Sequence, residues 1–451
     1  SGHRVEAEKV AMGPWMKNMH TASFDYMVLS HLAISQPGVA AVSTVDSIMV
    51  QEIVLDQQQG PLMDVVEVYA PDIYLPATDT THPRTEKGID LSPLNRFKKI
   101  QVHSGQLTMN EKALTFNSIL FEQVDKQRSV DLKDLAFKTP ASSLNVVHLL
   151  TTAESLKIYT VTLVHNKNFL DKIELEQDVV AGQLYHIKVR QLDWDAFIDS
   201  SQVIADDLLI DGFEVSIKRD KTLPDPPIEI KPHLLASLVP KLDGISIPKI
   251  IASNGNLSYL EVGDKTGQEG RIRISNINAI LKNSHPLDQP EQVLRARAQL
   301  YEKGAIEVTY DRLDSSRFAL KVSLKDFPAE LLNEMVDPLE AAKIESGVIG
   351  WYEFQAIADG QQARGQSKMT YDDLHVRIFK RGSPDQRNLG SDLLTLLVDD
   401  VILKHSKTDA TADFSRDRIT FKGPVNYWAK IAIEGAVAAI KKGKKEKKPK
   451  K

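Results

Sequence analysis

Apolar and polar residues alternate along most of this chain, in short runs separated by Gly, Asn, Asp and Pro. Residues 65–69, 306–310 and 318–324 are examples of such runs. A period of two places one face of a strand on apolar material and the other in water. Turn-forming residues recur about every ten positions, which is typical of an antiparallel meander. The pattern therefore predicts a mainly β protein.

Few segments show the helical period of 3.6 residues. The pattern predicts short helices at residues 26–32, 328–336, 389–397 and 426–442. A chain with so few helices cannot cover a long sheet with them.

The chain also repeats itself: residues 97–108 align with residues 247–258, at an offset of 150. Each copy carries a small polar residue followed by glycine, Ser104-Gly105 in the first and Asn254-Gly255 in the second. We expect a hairpin turn there, because tight turns require a positive φ that Gly and Asn adopt readily.

Repeated β units without internal closure build an elongated sheet rather than a ball. Such a sheet closes into a barrel, packs against a second sheet, or curls into an open trough. The residues alone leave these three arrangements open. A long exposed apolar surface implies a ligand or a partner.

Charge is divided unevenly along the chain. Residues 441–451 hold eight lysines and one glutamate, a net +7, so the remaining residues carry −12 of the total of −5. An acidic body argues against nucleic acid as a partner, since phosphate binding needs a basic face. The sequence has no cysteine, which excludes disulfides and thiol chemistry.

No stretch reaches the roughly 18 to 20 apolar residues of a membrane-spanning helix. The start, Ser1-Gly2-His3-Arg4, shows no signal-peptide pattern. We expect residues 1–40 to be a helical or irregular segment from which any membrane anchor has been removed.

The C-terminal third carries a succession of recognisable segments. A helix opens at residues 325–332 and is followed by a strand containing Ser346-Gly347, an apolar strand at 352–356, an Ala-x-Gly strand at 363–365 and the segment Tyr371-Asp372-Asp373-Leu374. This succession resembles the C-terminal module of AsmA-like proteins, particularly the version found in Bacteroidota. Residues 393–400 and 426–428 are similar to that group as well. The resemblance covers residues 200–435, and the internal repeat extends it to residues 40–200.

The resemblance implies a curled, taco-shaped antiparallel sheet with an apolar trough, related to bridge-like lipid transfer proteins. It implies a periplasmic protein held at the inner membrane and linked to lipid transport or outer-membrane homeostasis. No enzymatic activity and no cofactor are expected. The predicted regions are residues 1–40, a first β repeat at 41–200, a second at 201–325, the AsmA-like module at 326–425, and an amphipathic helix with a lysine tail at 426–451.

The resemblance turns the alternating apolar residues into candidates for a groove that binds phospholipid or another acyl lipid. From the residues alone, a closed core is the favoured interpretation of the same set. The candidates are Leu107, Met109, Leu257, Tyr259, Ile272, Ile274, Ile306, Val308, Phe318, Leu320, Val322, Tyr352 and Phe354.

The last helix and the lysine tail offer a second surface, toward a membrane with anionic lipid. The alternative is a helix that closes the end of the sheet, followed by a solvated tail. The candidates for membrane contact are Trp428, Ile431, Lys441, Lys442, Lys444 and Lys445.

Motifs that suggest covalent or metal chemistry are weak. Asp193 and Asp195 imitate an Asp-x-Asp metal site but are expected to be solvated acids on a strand, and residues 263–270 are expected to form a hairpin loop rather than a phosphate site. The twelve histidines form no cluster, so no metal site is predicted. The remaining rival functions are a scaffold that binds an envelope protein and a carbohydrate-active enzyme, which requires a carboxylate cluster.

Overall fold

The structure, a computed structural model, confirms a mainly β chain with a few helices. It describes residues 4–12, 15–17, 21–35, 42–56, 60–75, 97–124, 127–152, 154–194, 196, 202–227, 245–264, 266–282, 292–314, 316–339, 342–378, 401–405, 411–420 and 422–445. The chain divides into two compact units. Unit 1 comprises residues 1–172 and 183–209, and unit 2 comprises residues 173–182 and 210–451.

Unit 1 is built from long strands that follow one another along the chain. They are β1 (Arg4–Met12), β2 (Trp15–Lys17), β3 (Thr21–Ser35), β4 (Ser43–Asp56), β5 (Gly60–Tyr69), β6 (Asp72–Leu75), β7 (Phe97–Met109), β8 (Lys112–Val124), β9 (Gln127–Lys138), β10 (Ser142–Thr152) and β11 (Ser155–His165), followed by the short helix α1 (Lys167–Leu170). Neighbouring strands pair antiparallel, except that β5 and β6 both run parallel to β7.

Four strands follow, of which β12 and β14 each contribute residues to both units. They are β12 (Asp178–Arg190), β13 (Val203–Ile204), β14 (Asp207–Asp220) and β15 (Ile245–Ser246).

Unit 2 continues the antiparallel meander and adds two helices. Its elements are β16 (Lys249–Val262), β17 (Glu269–Lys282), β18 (Val293–Leu300), β19 (Gly304–Arg312), β20 (Phe318–Pro328), a 3-10 turn (Ala329–Leu332), α2 (Asn333–Leu339), β21 (Ala342–Ala358), β22 (Gln362–Ile378), β23 (Val401–His405), β24 (Ala412–Asp417) and α3 (Pro424–Lys445). Helices predicted at 328–336 and 426–442 are confirmed by the 3-10 turn with α2 and by α3. The helix predicted at 389–397 lies outside the described residues.

The helix predicted at residues 26–32 is wrong, because this segment belongs to strand β3. Leu29 and Leu32 are three residues apart, as on one face of a helix. In the strand, His31 has a positive φ of 51° and interrupts the alternation of faces, and Leu29 pairs with Ile48 and Leu32 with Val45. The inserted residue imitates a helical spacing.

The turn predicted at the repeated glycines is also wrong. Gly105 and Gly255 lie inside β7 and β16, and the positive φ falls on the preceding residues, at 46° for Ser104 and 56° for Asn254. At Gly255 the register of the β16–β17 pairing shifts, as in a β-bulge. At Gly105 the pairing passes over one residue in each strand, Ser104 and Asn117, so the register of β7 and β8 is unchanged. We use the word bulge for both irregularities.

Bulges recur at the same height in successive strands of unit 1. The cross-strand pairing skips the same level in all five strands from β7 to β11, and three of the skipped residues have a positive φ. We call this line the crease. Its residues are Ser104, Asn117, Asp134, Val147 and Thr160.

Candidate functional site

The main feature of unit 1 is a continuous apolar face. Residues that pair across β3, β4, β5, β7, β8, β9, β10 and β11 form an unbroken apolar row, and each of them is only partly buried. The row consists of Leu29, Ile48, Val68, Val102, Ile119, Leu132, Leu149 and Ile158. Eight strands at about 4.8 Å give the row a length of about 34 Å.

The apolar face continues on the other side of the crease. There Leu107 pairs with Ile73 of β6 and with Leu114, and the row runs on through Phe137 and Leu144. Phe137 and Leu144 remain 37% and 39% exposed, and the groove candidate Met109 nearby is 41% exposed. A group of large apolar side chains that is exposed in this way marks a surface that binds a ligand or a partner.

The opposite face of the same strands is polar. One row of this face contains His103, Ser118, Lys133 and His148, paired strand to strand. Asp131 lies 2.9 Å from His148. The sheet of unit 1 therefore has one mainly apolar and one mainly polar face.

No helix packs on the apolar face within the described part of unit 1. Its one helix there, α1, has four residues and follows the end of β11, where the ring of Phe169 stacks on His165. The row is thus formed by side chains that stay partly accessible, whereas Phe121 and Val146 on the same face are buried, at 8% and 9% exposure.

Sequence reasoning found Leu107 and Met109 on this face but missed the rest of it. The signal was present: in β8, the apolar pairs Leu114/Phe116 and Ile119/Phe121 are separated by three residues instead of two. That slip of one position marks the bulge, and it recurs in β9, β10 and β11.

In unit 2 the corresponding face is largely filled by protein. Helix α3 lies on it, and every side chain from residue 426 to 440 is at least partly buried. Four groove candidates form the core beneath this helix, with exposures of 6% or less, which contradicts their prediction as groove residues. They are Phe318, Leu320, Tyr352 and Phe354.

The remaining candidates of unit 2 lie on the same face with varied cover. Tyr259 and Ile272 pair across strands and pack against Met335 and Leu339 of α2. Val308 and Val322 pack at the margin of the core, whereas Leu257, Ile274 and Ile306 are partly buried.

The prediction that Trp428 and Ile431 contact a membrane surface is wrong. Ile431 is 0% exposed, and the Trp428 ring stacks on Tyr310 at 5.4 Å and lies beside Phe318. The helix closes the sheet, which was the alternative interpretation. Lys441 and Lys442 are exposed, and the side chains of Lys444 and Lys445 lie outside the described residues.

Polar groups of the sheet hold α3 in place. Ser367, which is buried, donates a hydrogen bond of 2.7 Å to the carbonyl oxygen of Gly435, and the Tyr352 hydroxyl donates to that of Ala432. Arg416 pairs with Glu434 at 3.3 Å. Helix α3 is therefore an integral part of unit 2.

A cluster of charged groups fixes the start of α3. Buried Arg219 binds Asp178 at 2.6 Å and Glu176 at 3.2 Å, and Lys422, two residues before the helix, binds Glu176 at 2.7 Å. Lys422 also binds Asp225 at 3.0 Å, and this hydrogen bond lowers the pKa of the Asp225 carboxyl. The cluster was not predicted, because its members are far apart in sequence.

The two motifs that suggest metal or phosphate binding have ordinary structural roles. Asp193 lies beyond the end of β12, where its carboxylate accepts a hydrogen bond of 2.9 Å from the Ala196 backbone, and Asp195 lies outside the described residues. Residues 263, 264 and 266–268 lie in the predicted hairpin loop between β16 and β17. The part of the chain that the structure describes contains no cluster of three His, Asp or Glu side chains able to hold a metal ion.

No protein-family model matches the chain, and no curated protein matches it. Among the helices of the described residues, none is long and apolar enough to cross a membrane.

Proposed function

We propose that unit 1 binds lipid acyl chains along its apolar face, and that the protein serves lipid transfer or outer-membrane homeostasis in a cell envelope. One observation carries the first part: the apolar row of eight strands, every member of which stays partly exposed. A linear apolar ligand matches a linear apolar surface.

The energetics favour such a ligand. Each CH₂ group that leaves water contributes about 0.8 kcal/mol. An acyl chain lying across the strands stays in contact with Leu, Ile, Val and Phe side chains along its length, while a head group remains in water. This recognition requires neither covalent chemistry nor a cofactor.

The cellular part of the proposal is supported by the resemblance of residues 200–435 to AsmA-like proteins. On this proposal the protein acts in the periplasm at the inner membrane, with phospholipid and the membrane surface as partners. This assignment stands separately from the binding of lipid by unit 1.

A second candidate function is a scaffold that binds an envelope protein. Helix α3 supplies the observation that favours it, because it shows that an apolar sheet face of this chain accepts a helix rich in small residues. On this alternative, a partner's helix occupies unit 1 in the way that α3 occupies unit 2.

The test compares two substitutions in neighbouring positions of β8. Ile119 belongs to the apolar face, whereas Leu120 lies on the polar face and pairs with Gln101 and Asp131. Protein purified without detergent is analysed by lipidomics and native mass spectrometry. We expect bound phospholipid in unmodified protein and in Leu120→Asp, and its loss in Ile119→Asp.

Lipid-free unmodified protein that also fails to take up fluorescent phosphatidylglycerol would overturn the lipid proposal and favour the scaffold. Equal loss of lipid in both variants would attribute the effect to general destabilisation instead of the apolar face.

A further inference from the structure

The two repeated glycines share an unusual contact at the bulge. A Cβ atom on Gly105 would lie 2.2 Å from Cζ of Phe116, and one on Gly255 would lie 1.8 Å from Cζ of Phe213. Each aromatic ring therefore occupies the notch that only glycine leaves open. The positive φ of the bulge falls on Ser104 and Asn254, so glycine is needed here for space and not for backbone freedom.

The aromatic residue that contacts the glycine follows it in the sequence in unit 1 and precedes it in unit 2. Phe116 belongs to β8, the strand after Gly105, whereas Phe213 belongs to β14, the strand before Gly255. The same contact has thus been built with two different neighbours, which points to the notch itself as the shared requirement.

In unit 1 this contact lies at the middle of the apolar face. Phe116 stands next to the crease, between the Val102–Ile119 pair on one side and the Leu107–Leu114 pair on the other. The height of the Phe116 ring above the sheet therefore sets the depth of the apolar face along the crease.

We propose that Gly105 and Phe116 together form the floor of the lipid site, and that a single unbranched acyl chain lies along the crease above the Phe116 ring. This inference rests on the proposed function. It adds to that function the residues that set the depth of the lipid site and the class of ligand that the site takes. Because backbone lies beneath the ring, any side chain at position 105 must push the ring outward, into the space of the acyl chain.

The test uses cis-parinaric acid, a linear fatty acid that fluoresces in apolar surroundings, titrated into the delipidated protein. We expect Gly105→Ala to weaken binding about tenfold. The double variant Gly105→Ala/Phe116→Ala should bind more tightly than Gly105→Ala alone, since the smaller side chain again clears the floor.

Gly255→Ala is the matched control, because it makes the same change under Phe213 in unit 2. We expect it to leave binding unchanged. Equal weakening by Gly105→Ala and Gly255→Ala, or no recovery in the double variant, would overturn the inference, since loss of stability would then explain the result. Should Gly105→Ala not fold, Phe116→Trp raises the floor without a change at glycine, and unchanged binding by that variant would also overturn it.

The two proposals fail in distinguishable ways. If unmodified protein does not bind cis-parinaric acid, the proposed function is wrong and the inference falls with it. If unmodified and Gly105→Ala proteins bind equally well, the floor is wrong and the lipid site stands.

Discussion

Units 1 and 2 both contain an eight-strand row on the apolar face of a sheet, but they complete it differently. In unit 1 the row from Leu29 to Ile158 consists of large apolar side chains that all remain partly exposed. In unit 2 the corresponding row runs from small residues into a buried core beneath α3. Its members are Ala252, Ala279, Ala296, Val308, Val322, Phe354, Ser367 and Ala412.

The difference shows that alternation alone specifies a two-faced sheet and leaves its cover undecided. In unit 2 the cover is part of the chain and is held by named polar contacts. In unit 1 no helix supplies it within the described residues. The apolar face of unit 2 is therefore covered by helix α3, and for the apolar face of unit 1 we propose a lipid.

The largest expected effect is the loss of stability when a carboxylate is introduced into the apolar face of each unit. Ile431→Asp places a carboxylate in the core of unit 2, where it has no room for water, and should cost about 4 kcal/mol of unfolding free energy. Leu132→Asp makes a similar change on the partly exposed face of unit 1 and should cost about 1 kcal/mol. Hydrogen–deuterium exchange of peptides from each unit measures both costs. Similar costs for the two variants would show that the face of unit 1 is as closed as that of unit 2.

The charged cluster at the start of α3 provides a second test of the difference between the two units. Glu176→Gln removes the negative charge that Arg219 and Lys422 share and replaces a charged nitrogen donor-to-carboxylate pairing of the buried guanidinium by a neutral one, at a cost of about 3 kcal/mol. The effect should appear as faster hydrogen exchange in α3 and unchanged exchange in β8 and β9. The control is Glu269→Gln, which breaks a more exposed pair with Lys218 and should change stability by less than about 0.5 kcal/mol. A change no larger in Glu176→Gln than in this control would contradict a role for the cluster in fixing the helix.

The smallest expected effect is a difference in alkaline stability. Burial raises the pKa of Tyr310 in unit 2 to about 12, and it also raises the pKa values of Tyr259, Tyr301, Tyr352 and Tyr427. Because the folded pKa lies above the unfolded value of about 10, the contribution is complete below about pH 10 and is lost as pH rises to about 12. For Tyr310 the loss is about 2 to 3 kcal/mol.

Hydrogen exchange across this pH range should therefore show unit 2 opening before unit 1. Tyr310→Phe is the control, because it removes one titrating group and should reduce the loss. An equal alkaline loss in Tyr310→Phe and unmodified protein would attribute the opening to groups other than this tyrosine.

Much of the fold could be predicted from the sequence, because strands and helices of regular period are local properties. Helix α3 was predicted from its spacing of apolar residues, and the repeat was predicted from the aligned Ser104-Gly105 and Asn254-Gly255. The bulges were missed because a single inserted residue imitates either a turn, as at Gly105, or a helical spacing, as between Leu29 and Leu32.

The candidate site was predicted less well, because cover is a long-range property. Phe354 and Leu107 have the same alternating surroundings in the sequence, yet one is buried under α3 and the other remains partly exposed. Nothing local to either strand records where residues 424–445 will pack. Likewise, Trp428 and Ile431 have an amphipathic spacing that suits a membrane and a sheet equally well.

The crease has a consequence for how this chain can change through evolution. Every apolar residue beyond a bulge keeps its side of the sheet only because one extra residue was inserted before it, so deletion of Ser104 or Asp134 would turn half a strand inside out. Substitutions that preserve the parity of apolar positions leave the faces intact, whatever the residues are. A sheet whose faces depend only on the alternation of apolar and polar positions can keep its structure while most of its residues change. Insertions and deletions within its strands are more damaging than substitutions, because they exchange the two faces.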